Sequence, residues 1–232
     1  MKRIFLFTIF SLLIFSFRLH AQSHFRAGFS FGPLASDVLG TDTRDDDADF
    51  HHLGFSVGGI VHTELSEGNS FQFEINYITK GATSPPDSAN NGYYKLTLNY
   101  LEVPFVFRHD IKFNVKKKPV TRFQLEGGFA VARLVHFNEK VNNYSQTFGA
   151  ENVNKTEASL LVGINYIVTP QFYFGLRYEN GLIPALKKNS IQSYFVRYTF
   201  NNGNNMVVQF TAHYIFGKGP DKVEETPPPP AQ

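Results

Sequence analysis

Three groups of residues in this chain have types and spacings that could do chemistry. The first is an acidic run, Asp45, Asp46, Asp47 and Asp49, followed at once by His51 and His52. Carboxylates beside imidazoles can hold a divalent cation or drive hydrolysis. Zinc sites show characteristic ligand spacings that this run lacks, and Ca²⁺ loops place oxygen ligands at ordered intervals, which it lacks as well. A hydrolase needs a nucleophile converging with a base and an orienting group, and no Ser here has an obvious His partner. The run reads as a solvated loop, with no metal, no cofactor and no enzyme implied. The second group is Asp87, Ser88 and Ala89, which matches a three-residue O-glycosylation acceptor pattern, with Ser88 as the acceptor.

The third group consists of charges recurring in mid-segment among apolar neighbours: Glu74, Glu102, Arg108, Glu126, Arg177 and Glu179. Glu64 and the bases Arg26, Lys80, Lys95 and Arg122 extend the set. Acids and bases nearly balance, which points to paired charges filling an interior. An ion pathway more often shows rings of one sign. Arg177 is expected to be held by acids from other strands, with Glu74, Glu102 and Glu126 the candidates.

The elements that would carry these charges follow from a period of two. Phe71, Phe73, Ile75 and Tyr77 alternate with Gln72, Glu74 and Asn76, which is a strand pattern. Similar segments start near Phe25, Leu53, Tyr94, Phe123, Leu160, Phe172 and Met206, giving eight strands. Near Tyr94 to Arg108 the apolar set sits on Leu96, Leu98 and Tyr100, then moves to Leu101, Val103, Phe105 and Phe107. Because a one-residue slip exchanges the faces, this predicts a β-bulge near Tyr100 and Leu101. The links Ser66 to Ser70, Asp110 to Val120 and Thr169 to Gln171 are short, while the four other links are long and polar. Strict alternation of short and long links is the arrangement of membrane barrels, with short periplasmic turns and longer extracellular loops. Ile191 to Phe200 is strand-like too, and is expected to be a hairpin arm outside the barrel.

Aromatic residues make up 16% of the sequence, 25 of them Phe, yet mean hydropathy is below zero. Alternation reconciles the two. A lumen of eight strands would be overfilled by so many rings, so the bulky face is expected to meet lipid. Phe71, Tyr77, Phe107, Phe172, Tyr178, Tyr214 and Phe216 would form interfacial girdles. Lys2 and Arg3 before the apolar run Ile4 to Phe17 read as a secretory signal peptide over residues 1–21, cleaved after Ala21. The barrel domain then spans 22–216, and 217–232, with Pro227 to Pro230, reads as a flexible periplasmic tail. Without residues 1–21 the basic count falls from 22 to 19 against 20 acids, so a nucleic-acid partner is not expected. The absence of Cys excludes disulfides and a thiol nucleophile.

The order Tyr77, Lys80, Gly81, then Leu98 to Pro104 (Leu-Asn-Tyr-Leu-Glu-Val-Pro), then Gly127, Gly128, Gly163, Arg177, Tyr178, Gly181 and Leu182 resembles the PorT-like outer-membrane β-barrel family of Bacteroidetes. What the resemblance implies is an eight-stranded barrel. The sequence thus predicts an all-β, antiparallel, up-and-down transmembrane barrel in the cell outer membrane. Lipid and an envelope protein are its expected partners, and its loops act as a binding, adhesion or envelope-stabilising module. The alternatives are an accessory subunit of an outer-membrane transport or type IX secretion machine and, third, a hydrolase at the barrel rim.

Overall fold

The computed structural model describes residues 25–38, 50–84, 93–115, 118–141, 144–145, 153–186 and 203–217. The strands are β1 (Arg26–Val38), β2 (His52–Ser66), β3 (Asn69–Ser84), β4 (Tyr94–Val115), β5 (Lys118–Val141), β6 (Tyr144–Ser145), β7 (Thr156–Ile167), β8 (Phe172–Gly181) and β9 (Asn205–Ile215). Neighbours run β4, β3, β2, β1, β9, β8, β7, β5, and pairing of β4 with β5 closes the ring. All pairings are antiparallel. The two-residue β6 only extends the edge of β5, so the barrel has eight strands. Closure satisfies the backbone donors and acceptors that an open sheet would leave unpaired in lipid.

The wall is sorted by parity. Phe29, Phe31, Phe55, Val57, Ile75, Leu101, Phe107, Leu125, Phe129, Leu160, Val162, Leu176 and Phe210 all stand exposed on the outside. Phe73 packs edge-on against Phe105 at 5.3 Å, and Phe105 stacks on Phe129 at 5.0 Å, so one aromatic row crosses β3, β4 and β5. A continuous apolar belt of this extent far exceeds the patches that soluble monomers expose. Tyr77, Phe107, Tyr178 and Phe216, taken from the sequence as girdle residues, are exposed on the same outer face.

Two expectations need correction. No bulge reverses β4 at Tyr100: Leu96, Leu98, Tyr100, Glu102, Val106 and Arg108 are all buried on one continuous inward face. The register does shift at Asn99 and Tyr100, but the extra residue is Val135 of β5. The apolar residues move from even to odd positions along β4 because the lumen itself turns apolar there, not because the strand flips. Second, Asp110 to Val120 is not a turn. β4 continues to Val115 and β5 begins at Lys118. At the same end Gly68, with φ +78°, makes the tight turn between β2 and β3. Residues 1–24 and 218–232, the acids Asp45 to Asp49, Ser88, and Ile191 to Phe200 lie outside the described residues.

Candidate functional site

The inward residues of the eight strands fill the lumen in three zones. In the half nearer the short turns, Arg177 on β8 donates through Nε to Glu126 Oε1 at 2.7 Å, and through Nη2 and Nη1 to the two oxygens of Glu74 at 2.9 and 3.2 Å. Glu126 sits on β5, one strand removed from β8, and reaches Arg177 across Gly163 of β7. A Cβ at Gly163 would stand 2.8 Å from Glu126 Oε1, so the glycine makes room for the pair. Arg108 of β4 donates through Nε to Glu126 Oε2 at 3.1 Å and through Nη1 to Gln72 Oε1 at 2.6 Å and to the Tyr173 hydroxyl. That hydroxyl donates in turn to Gln72 Oε1 at 2.8 Å. Gln72 and Asn76 complete Glu74, and Asn165 completes Glu126. The Arg108 guanidinium lies over the Tyr173 ring at 4.6 Å, and that ring stacks on His213 at 4.5 Å. Bidentate and charge-assisted bonds of this type are the strong, directional ones.

Above this lies a second cluster around Lys80 of β3. Its Nζ is 2.5 Å from Glu102 Oε2, 2.5 Å from Glu179 Oε1 and 3.5 Å from Glu157 Oε1. Ser159 donates to Glu179 at 2.6 Å, and Asn205 to Glu157 at 2.7 Å. Here one ammonium serves three carboxylates.

The third zone, toward the long loops, is apolar. Leu34, Val38, Ile78, Ala82, Leu96, Leu98, Tyr100, Ala132 and Val207 line it from the strands, and Leu134 and Phe137 pack against it. Val153, Ala185 and Leu186 enter it from outside the strands. Val153 bridges Leu186 in an antiparallel contact, Asn154 N donates to Ala185 O at 2.8 Å, and Ala185 N donates to Gly203 O at 2.5 Å. Two inter-strand segments thereby place aliphatic side chains in the mouth.

The six charges taken from the sequence, Glu74, Glu102, Arg108, Glu126, Arg177 and Glu179, are all buried in the lumen. Arg177 meets Glu74 and Glu126, but Glu102 belongs to the Lys80 cluster instead. The balance of charge also needs correction. Arg122 is exposed, Lys95 shares the outward parity of Leu101 on β4, and Arg26 pairs with the partly exposed Glu64 at the rim. Among the described residues the lumen set is therefore Lys80, Arg108 and Arg177 against Glu74, Glu102, Glu126, Glu157 and Glu179, while Asp37 is buried on the outward parity of β1. Glu157 was missed because the Leu160 strand was begun too late. Extending the Gly163 and Asn165 parity backwards through Leu161 and Ser159 reaches it. At the rim, His52 is buried with Nδ1 3.1 Å from Thr83 Oγ1. Among the described residues no three His, Asp or Glu side chains are grouped to hold a metal ion.

Comparison with solved structures finds other small barrels. Neisserial surface protein A aligns with TM-score 0.44 and 12% identity over 83% of this chain and 97% of its own. Ail, the attachment invasion locus protein of Yersinia pestis, solved in complex with the heparin analogue sucrose octasulfate, gives 0.38 and 15% over 83% and 99%. OprG of Pseudomonas aeruginosa gives 0.34 and 9% over 84% and 95%. Comparison with curated proteins finds no match. A family model, described as the outer membrane protein beta-barrel domain, matches residues 17–187. With that match over most of its length, and a closed eight-stranded wall that is apolar outside and charged within, the chain belongs to the outer membrane protein beta-barrel domain family.

Proposed function

We propose that this outer-membrane barrel works through the groups it presents at its long-loop end, as a binding, adhesion or envelope-stabilising module, with lipid around its wall. The observation that supports this most is the filled lumen. Ion pairs occupy its middle and aliphatic side chains its mouth, so a solute would have to displace several buried pairs to pass. That leaves the ends and the wall as working surfaces. The short-turn end is built from tight connections such as that at Gly68, whereas the long-loop end carries most of the non-strand chain. Extracellular placement of the long loops, cleavage after Ala21 and kinship with PorT-like barrels belong to the same proposal. They rest on link lengths, the N-terminal pattern and the Leu98 to Pro104 run.

The test is site-specific photo-crosslinking in native membranes, with the probe at exposed His51 or Leu182 of the long-loop end, or at exposed Glu67 of the short-turn end. Adducts from His51 and Leu182 are expected. A stoichiometric protein adduct from Glu67 alone would replace this reading with the accessory-subunit one.

A further inference from the structure

The barrel rim is not uniform. β4 and β5 run well past the apolar belt, and their outward faces then change character. Above Leu101, β4 presents Asn99, Thr97 and Lys95; above Val131, β5 presents Arg133, His136, Asn138 and Lys140. The extra residue Val135 resets the parity of β5, so His136, Asn138 and Lys140 continue the outer face that Arg133 begins. The register sets Leu101 against Arg133, Asn99 against His136, Thr97 against Asn138 and Lys95 against Lys140. Arg133, His136, Asn138 and Lys140 are exposed and Lys95 is half-buried. Arg133 Nη1 donates to Thr156 Oγ1 at 2.8 Å, which holds the guanidinium at the edge of the belt.

Lys95 directly opposite Lys140 is unfavourable by itself, because like charges on facing strand positions repel. Among the described residues the register sets no acid directly opposite either of them. On its other side Lys95 faces Thr83, and Glu139 pairs with Leu96 on the inward parity. The corresponding ends of β1, β2, β7 and β9 carry Ala35, Leu53, Ala158 and Met206 outward, and Asp37 there is buried. A four-residue basic ladder therefore stands on one sector of the wall, continuous with the surface that meets the acyl chains.

We propose that this ladder is a docking surface for phosphate groups on the headgroup of an outer-leaflet glycolipid. A lipid is the occupant favoured by position, since Arg133 stands at the upper border of the apolar belt, between the exposed side chains of Val131 and Val135. A glycolipid is favoured by height: from Arg133 to Lys140 the ladder runs roughly 20 Å along the strand at about 3.3 Å per residue, which a strand tilt of about 35–45° projects to about 15 Å along the membrane normal. A simple phospholipid headgroup layer is only about 5–8 Å deep. Phosphates carried on successive sugars would reach all four positions, and an anion between Lys95 and Lys140 turns their repulsion into a shared site. The inference rests on the extracellular placement of the long-loop end proposed above, and is independent of what the loops bind.

The test uses the full barrel, folded in nonionic detergent, titrated with fluorescent diphosphoryl lipid A and with its dephosphorylated form. The variant combines Lys95→Gln, Arg133→Gln, His136→Gln and Lys140→Gln. Lys112→Gln is the control, because Lys112 is exposed at the opposite end, beside Glu67. All five are surface positions, and the heat-modifiable gel band shows that each protein is folded. The parent and the control should bind the phosphorylated lipid alike. The fourfold variant should lose about tenfold or more, given what each basic residue contributes at an anionic surface. The parent should also discriminate against the dephosphorylated lipid by a similar factor. Equal affinity of variant and parent, or equal affinity of the parent for both lipids, would overturn the proposal.

Discussion

Arg177 shows how much a single side chain carries in this lumen. It is 2% exposed and spans two carboxylates from two other strands, so its removal leaves Glu74 and Glu126 facing each other with Arg108 as the remaining neighbouring base. Breaking one side of a buried pair typically costs about 3–5 kcal/mol, and Arg177→Met should destabilise the barrel by that order. Denaturant unfolding in detergent, followed by the heat-modifiable band, measures it; a variant as stable as the parent would show that the pair contributes nothing. Lys80→Met should be at least as damaging, since Glu102, Glu157 and Glu179 all lose their only ion-pair partner among the described residues. The inward placement of these charges was legible from parity alone. Their partners were not, because parity assigns a face but no height, and which inward residues meet is decided by strand tilt and shear. Glu102 was assigned to the wrong cation for that reason.

At the scale of the element, β4 separates two readings that the sequence could not. A run of Leu96, Leu98 and Tyr100 looks like a lipid-facing set, and only the closed barrel shows these side chains inside, against Leu34, Ile78 and Val207. Hydrophobicity marks burial from water but does not say whether lipid or protein provides it. Substitution distinguishes the two. Leu98→Ala empties space in a packed interior and should cost about 2–5 kcal/mol, whereas Leu101→Ala, on the outer face, should cost far less. The opposite ranking in the same unfolding assay would restore the bulge and the reversed faces. Phe73→Arg places a charge within the aromatic row of β3, β4 and β5, and near the midplane such a charge costs about 2–4 kcal/mol. Folding yield into lipid vesicles should fall accordingly, while Phe73→Leu should fold nearly as well as the parent.

For the whole molecule, the strand count and the alternation of short and long connections could be read directly from the sequence, because both depend only on local pattern. The cap could not. Val153, Ala185 and Leu186 lie in segments without strand periodicity, and nothing local says that they fold back over the mouth. That inward fold matters most for function, since among the described residues it adds aliphatic side chains above the ion-pair layers in the lumen. Eight strands already leave little free bore, and among the described residues three bases and five acids are buried in that bore beneath a largely aliphatic mouth. Purified barrel reconstituted into a planar lipid bilayer measures this directly. The membrane should stay electrically silent, apart from brief events, with barrel insertion verified by the heat-modifiable band. A steady, large conductance that scales with the number of inserted barrels would contradict the filled lumen and make the protein a pore.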